Sequence, residues 1–179
     1  MNDLTKAVFL DRDGTINVEK HYLYKASEFE YIDGAVEGMK TLSEMGYLLV
    51  VVTNQSGIAR GYYTEKDYKI LDDWMKADLL KKGVSIAGSY YCPHLPDGTV
   101  KKYAIECECR KPKTGLYWQA ARDLNIDMDN SYAIGDKTRD LSICNESGVK
   151  GILLSDAAND EDYIVCRNWK EIISVIADR

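Results

Sequence analysis

Lys6-Ala7-Val8-Phe9-Leu10-Asp11-Arg12-Asp13-Gly14-Thr15 decides how the rest of the chain is read. Four apolar residues run at strand length and stop at a carboxylate, and a short polar turn carrying a glycine follows. The same order recurs further on. Leu48-Leu49-Val50-Val51-Val52 is a near-continuous branched run, as in a parallel strand covered on both faces, and it ends in Thr53-Asn54-Gln55-Ser56-Gly57. Further strands are expected at Ile86 to Tyr91, Tyr132 to Ile134 and Gly151 to Leu154, with Gly135-Asp136-Lys137-Thr138-Arg139-Asp140 closing the second of these. Helical spacing fills the gaps. Ala35, Val36, Met39, Leu42 and Met45 share one face, with Gly46 beyond. Thr64-Glu65-Lys66-Asp67 reads as a capping box opening a helix through Leu71, Trp74, Met75, Leu79 and Leu80 to Gly83. Leu116 to Leu124, Leu141 to Ser147, and a final helix capped by Asn168 with Ile172, Ile173 and Ile176 complete the alternation. Strand and helix in turn predict an α/β fold, a doubly wound parallel sheet.

Composition narrows the setting. The 179 residues are 45% hydrophobic and 29% charged, without repeat or Pro-rich linker, which predicts one domain spanning 1–179. A net charge of −6 and a pI near 5.0 argue against nucleic acid or an anionic membrane as partner. No run of about 18 apolar residues exists to span a bilayer. Met1 to Lys6 lacks the basic region and long apolar core of an export signal, and five cysteines then suit a reducing, cytoplasmic setting. Cys144 and Cys166, apart from the other three, read as core thiols.

Four polar groups follow the predicted strands and the cysteine segment, and in open parallel sheets ligands bind at strand carboxyl ends. Taken singly, each reads as a turn or a helix cap: Asp11 to Thr15, Thr53 to Gly57, Cys109-Arg110-Lys111-Pro112, and Gly135 to Asp140. Together they put several carboxylates into one cleft, where like charges repel unless a cation lies between them. A hard, oxygen-seeking ion such as Mg²⁺ meets that need, and a lysine, a hydroxyl and backbone N–H groups around it make a phosphate cradle. Phosphoryl transfer is the chemistry these groups fit in combination.

The order Asp-x-Asp-Gly-Thr, strand plus Thr53, Lys111, then Gly135-Asp136-x-x-x-Asp140 resembles the four motifs of the haloacid dehalogenase-like phosphatase superfamily, over nearly the whole chain. Thr53 to Gly61, Cys92-Pro93-His94 and Cys107-Glu108-Cys109-Arg110-Lys111-Pro112 look like its heptose bisphosphate phosphatases, with histidinol-phosphate phosphatases a close sister. Lys113-Thr114-Gly115-Leu116 departs from the family's pattern of Pro before the Gly and Met after it, at the start of a helix, where little chemical consequence is expected. The resemblance implies Asp11 as nucleophile, Asp13 as acid and base, and Thr53 and Lys111 as stabilisers of the transferring phosphoryl group. It also implies Mg²⁺ held by Asp11, the Asp13 carbonyl and Asp136, with Asp140 behind them orienting Lys111 or a metal-bound water. Contacts to a sugar phosphate are implied for Glu19, Lys20, His21, Tyr22, Asn54, Gln55, Ser56, Arg110 and Lys137. The gaps between motifs leave no room for a large cap domain, so the site should be open and loop-built.

Cys92-x-His94 and Cys107-x-Cys109 offer four ligands suited to tetrahedral Zn²⁺, the alternative being unrelated thiols beside a surface histidine. A closed set of three thiolates and one imidazole predicts a structural zinc that fixes the loop from Leu95 to Glu106. Two other classes stay open. A phospho-accepting receiver domain shares the acidic pocket, Thr and Lys, although its acceptor follows a middle strand. A zinc-loop module for nucleic acid is opposed by the charge. The expected protein is a monomer acting on a small sugar phosphate.

Overall fold

The computed structural model describes residues 4–157 and 159–178. Met1 to Asp3, part of the stretch read for an export signal, lie outside the described residues.

Six strands, β1 (Thr5–Leu10), β2 (Leu48–Asn54), β3 (Ile86–Cys92), β4 (Ile126–Gly135), β5 (Lys150–Leu154) and β6 (Ile164–Cys166), form one sheet in the order β3-β2-β1-β4-β5-β6. Every pairing is parallel. This is the doubly wound order whose winding reverses between β1 and β4; a receiver-type sheet, ordered 2-1-3-4-5, does not match it. Period-two alternation divides each strand between two cores. Val8, Leu10, Leu49, Val51 and Ile134 face α1 (Ala35–Glu44), α2 (Glu65–Lys81) and α4 (Trp169–Ala177) through Met39, Leu42, Met75, Leu79, Trp169 and Ile172. Ala7, Phe9, Val50, Val52 and Ala133 face α3 (Gly115–Leu124) through Leu116, Tyr117 and Ala120.

The predicted caps form. Thr64 Oγ1 accepts from Asp67 N, while Asp67 Oδ2 accepts from Thr64 N at 2.8 Å. Asn168 Oδ1 accepts from Glu171 N at 3.0 Å. Among the described residues, no helix is long and apolar enough to cross a membrane.

Three elements differ from expectation. The helix expected from Leu141 to Ser147 is instead a 3₁₀ helix over Thr138–Asn145. Its tighter coil follows from the Asp140 side chain, which accepts from Lys137 N at 3.0 Å, and the Asp140 carbonyl, which accepts from Tyr117 Oη at 2.6 Å. The strand expected from Tyr132 is the end of a longer one that begins at Ile126. The largely polar stretch 127–131, Met128 apart, fits there because the register shifts between Lys6 and Val8, and the Ser131 hydroxyl takes over the Ala7 N–H at 2.8 Å. Strand β6, three residues long, carries too little pattern to be read from sequence.

The polar stretch from Asn17 to Asp33 folds back on itself. Val18 N donates to the Glu30 carbonyl (2.9 Å) and Ile32 N to the Ile16 carbonyl (3.0 Å), with a 3₁₀ turn at Ala26–Glu28 between. It forms a flap beside the carboxyl ends of β1 and β2.

Candidate active site

Asp11 stands one residue past β1, its N–H bound to the Ile134 carbonyl at 3.0 Å, so the sheet itself fixes the start of the loop. The loop then turns tightly. Gly14 has φ +84°, and a Cβ there would lie 2.5 Å from Asp136 Oδ2, so only glycine lets this turn rest against the end of β4.

Lys111 reaches the same point from the far side of the cysteine segment. It is buried, and its ammonium donates to Asp11 Oδ1 (2.7 Å) and to the Val52 carbonyl (2.7 Å) and pairs with Asp140 Oδ1 (2.8 Å). Burial works against that charge, but Asp11 and Asp140 outweigh it and hold the pKa above the ordinary lysine value. Burial also pushes the Asp11 carboxyl up to about 7; Lys111 opposes this rise and Asp140 adds to it. One lysine therefore does not balance the charge. Carboxylate oxygens of Asp11, Asp136 and Asp140 lie within 4.8 Å of one another, and Lys137, paired with Asp136 Oδ2 at 2.9 Å, is largely exposed. A divalent cation suits this excess of negative charge.

Asn54 fixes the lysine. Its Nδ2 donates to the Lys111 carbonyl and its Oδ1 accepts from Lys111 N, both at 3.0 Å, across 57 positions of sequence. Gln55 is equally committed. Its oxygen accepts from Tyr63 Oη (2.6 Å) and Arg12 Nη2 (3.4 Å), and its nitrogen donates to Asp13 Oδ2 (3.1 Å) and Thr53 Oγ1 (3.0 Å). Both amides, expected to meet substrate, line the cavity and at the same time bind the protein's own catalytic candidates.

These groups open onto a cavity of about 280 Å³. Asp11, Asp13, Thr53, Lys111, Asp136 and Asp140 line its floor. Glu19, His21 and Tyr22 line it from the flap, where His21 (φ 50°) and Tyr22 (φ 64°) are both left-handed and the Glu19 carboxylate accepts the His21 N–H at 2.7 Å. Two consecutive non-glycine residues in that region store backbone strain at the cavity mouth. Ser56, Arg110 and Lys137 also reach the cavity. Lys20 is not among its lining residues: its ammonium pairs with Glu30 at 2.9 Å. Arg60, Tyr63 and Arg139 line it too, and sequence reading missed them. Arg12 was missed as well, for a different reason. A charged residue between two aspartates reads as solvated, yet Arg12 is 1% exposed, with Asp13 sustaining its charge against burial.

The cysteine segment converges as expected. Sγ of Cys109 lies 3.0 Å from that of Cys92 and 3.4 Å from that of Cys107, Cys92 and Cys107 are 3.6 Å apart, and His94 Nδ1 is 3.3 Å from Cys109 and 3.7 Å from Cys92. Metal–sulfur bonds of 2.3 Å give tetrahedral edges of about 3.8 Å, so the four atoms approach the spacing a zinc ion imposes. The Cys92–Cys109 hydrogen bond, with help from Cys107 and His94, lowers the Cys109 thiol to about 5, so one thiolate is already favoured. Arg110 Nη1 donates to the His94 carbonyl at 3.3 Å, tying this cluster to the cavity wall.

Residues 6–163 match the family model described as polynucleotide kinase 3 phosphatase. The chain belongs to this phosphatase family. Curated relatives include the D-glycero-beta-D-manno-heptose-1,7-bisphosphate 7-phosphatase of Yersinia pestis, 49% identical over 79% of this chain and 75% of that one. The protein of the same name from Salmonella typhi is 48% identical over 89% of both. Among solved structures, the D,D-heptose 1,7-bisphosphate phosphatase of B. bronchiseptica, complexed with magnesium and phosphate, superposes with a TM-score of 0.80 at 28% identity, covering 97% of this chain and 98% of that one. The family thus lies within the haloacid dehalogenase-like phosphatases, and its members are phosphoric monoester hydrolases.

Proposed function

We propose that the protein is a Mg²⁺-dependent phosphatase that removes the 7-phosphate of D-glycero-D-manno-heptose 1,7-bisphosphate, on the route to nucleotide-activated heptose. The observation that carries this reading is the buried Lys111 ammonium shared between Asp11 and Asp140 at the mouth of β1, inside an acidic cavity. The relatives named for this reaction support the substrate.

Asp11, Asp136 and the Asp13 main-chain carbonyl would hold Mg²⁺, which when bound supplies the positive charge that lets a carboxylate meet an anionic phosphate. An Asp11 oxygen attacks phosphorus in line; the new O–P bond forms as the bond to the sugar oxygen breaks. Asp13 gives that oxygen its proton, then takes one from the water that attacks the aspartyl phosphate, releasing inorganic phosphate and restoring Asp11. Thr53 Oγ1 donates to the moving phosphoryl group and Lys111 offsets its growing charge. Asp140 keeps Lys111 aimed. Arg110, Lys137 and the flap residues Glu19, His21 and Tyr22 receive the sugar and its distal phosphate, and Ser56 borders them. Cys92, His94, Cys107 and Cys109 would hold a structural Zn²⁺ that fixes the loop carrying Arg110. The enzyme acts as a cytoplasmic monomer; a reducing compartment suits a thiolate site.

A phosphate-release panel tests the reading: both anomers of heptose bisphosphate, fructose bisphosphate and histidinol phosphate. Heptose bisphosphate should give the highest kcat/KM, with phosphate lost from carbon 7 alone. A preference for histidinol phosphate would transfer the protein to the sister branch.

A further inference from the structure

Arg12 is a buried cation inside an acidic loop, and the mechanism above gives it nothing to do. Its Nη2 donates to Asp13 Oδ2 at 2.9 Å and Oδ1 at 3.1 Å, and its Nε to Oδ2 at 3.2 Å. Asn17 Nδ2 adds a bond to Oδ1 at 3.0 Å, and Gln55 Nε2 adds one to Oδ2 at 3.1 Å. Each Asp13 oxygen is therefore gripped by at least two donors, and the carboxylate has no free rotamer. The grip is itself anchored. Arg12 Nη2 also donates to the Leu23 carbonyl at 3.0 Å, at the buried inner edge of the flap, and the guanidinium lies 5.8 Å from the Tyr68 ring centroid. Gln55 is held one way round, because the Asp13 carboxylate accepts from its nitrogen at 3.1 Å and the Arg12 guanidinium donates to its oxygen at 3.4 Å. Burying an arginine is costly unless a carboxylate answers it, and among the described residues Asp13 is the only one in contact. Arg12 is not among the residues that line the cavity, so it does not meet a ligand there.

We infer that Arg12 is a positioning residue: through a fork on Asp13, braced by Gln55 and the flap carbonyl of Leu23, it sets where the acid and base of the reaction stands. This rests on the role proposed for Asp13. Adjacent residues in an extended chain point apart, so a fork between positions 12 and 13 forms only because the loop coils here, where Thr15, Ile16 and Asn17 N–H groups all bond the Arg12 carbonyl at 2.9–3.3 Å. A guanidinium meets both carboxylate oxygens in one plane, and an ammonium meets them only as a point charge.

The test compares R12K, R12Q, Q55L, D13N and R12Q/D13N on heptose bisphosphate, with thermal melts recorded for each. R12Q should lower kcat about ten- to a hundredfold, part of the 10²–10⁴ that acid–base help supplies, with KM within about twofold. R12K should recover part of the loss, because it keeps the charge without the fork. R12Q added to D13N should cost nothing more, since the group it positions is already gone. Should R12Q fail to fold, R12K and Q55L carry the comparison, each expected to lower kcat several-fold at unchanged KM. Equal losses from R12Q in wild-type and D13N backgrounds, or a rise in KM alone, overturn the inference. Wild-type kcat in D13N would instead overturn the role of Asp13, a failure the single variant separates from that of Arg12.

Discussion

Two clusters of ligating side chains share one end of the sheet and are built in opposite ways. Asp11 and Asp136 ride on the tips of adjacent strands β1 and β4, so hydrogen bonds of the ladder hold their backbones in place whether or not an ion is bound. What is unresolved there is charge: three carboxylates meet in one place, and burial, with Asp140 adding to it against Lys111, raises the Asp11 carboxyl to about 7. Only Cys92 of the other cluster belongs to a strand; His94, Cys107 and Cys109 sit on the irregular segment that follows. In that cluster one thiol, Cys109, is lowered to about 5 while its hydrogen bond and burial raise Cys92, and the backbone depends on the ligands being joined. On the function proposed, the first cluster would use an ion for its chemistry and the second for its shape.

The sharpest way to break that contrast is D11N. Turnover should fall about 10⁴-fold or more, since an amide cannot form the phosphoenzyme, with the thermal midpoint nearly unchanged; single-turnover phosphate release together with a melt checks both. Residual turnover near wild type would remove the covalent route. Arg110 touches both regions. R110A should cost about ten- to a hundredfold in kcat/KM on the bisphosphate, the loss of one charge-assisted contact. The cost should be much smaller on p-nitrophenyl phosphate, which has no second anion; equal losses on both would move Arg110 into the catalytic group. Stripping zinc with a chelator, or C109S, should leave the sheet's circular dichroism intact, speed proteolytic cutting between residues 95 and 106, and lower activity on the order of tenfold. Cooperative unfolding on chelation would make the second cluster a determinant of the whole fold.

The smallest effect concerns how the cysteine segment is tethered. Glu65 at the start of α2 accepts from Tyr91 Oη and Tyr103 Oη, each at 2.6 Å, and these bonds lower its pKa. A depressed carboxyl stabilises the fold above its unfolded value, near 4.3, and that contribution disappears as pH falls through the folded value. E65Q should therefore lower stability by about 1 kcal/mol at pH 7, or about 2–4 °C, discounted for partial exposure. The gap should close below about pH 4. An equal gap at both pH values would show that the hydrogen bonds persist without the charge.

The fold was legible wherever burial on both strand faces made continuous apolar runs. Leu48 to Val52 and the capped helix from Thr64 are of that kind. Local pattern failed where a side chain from elsewhere set the backbone, as with Tyr117 bonding the Asp140 carbonyl inside the Thr138–Asn145 helix and Ser131 replacing a ladder bond beside Ala7. At the site, motif spacing brought Asp11, Asp13, Lys111 and Asp136 to one cavity and the four zinc candidates to one point. It could not tell which polar residues face inward. Asn54 and Gln55 line the cavity while also bonding Lys111 and Asp13, Lys20 pairs with Glu30, and Arg12 is buried, because each is decided by a partner outside its own motif or by a coil of the loop.

Asn54 gives the architecture an unusual freedom. By receiving one main-chain bond from Lys111 and returning another, its side chain imitates a rung of a sheet at a position where no strand runs. The lysine is thereby stapled to the end of β2 and takes its coordinates from there, independent of the path the chain follows between residues 93 and 110. That path is consequently an interchangeable part. A change in its length or course leaves the Lys111 ammonium, held through Asn54, at the end of β2.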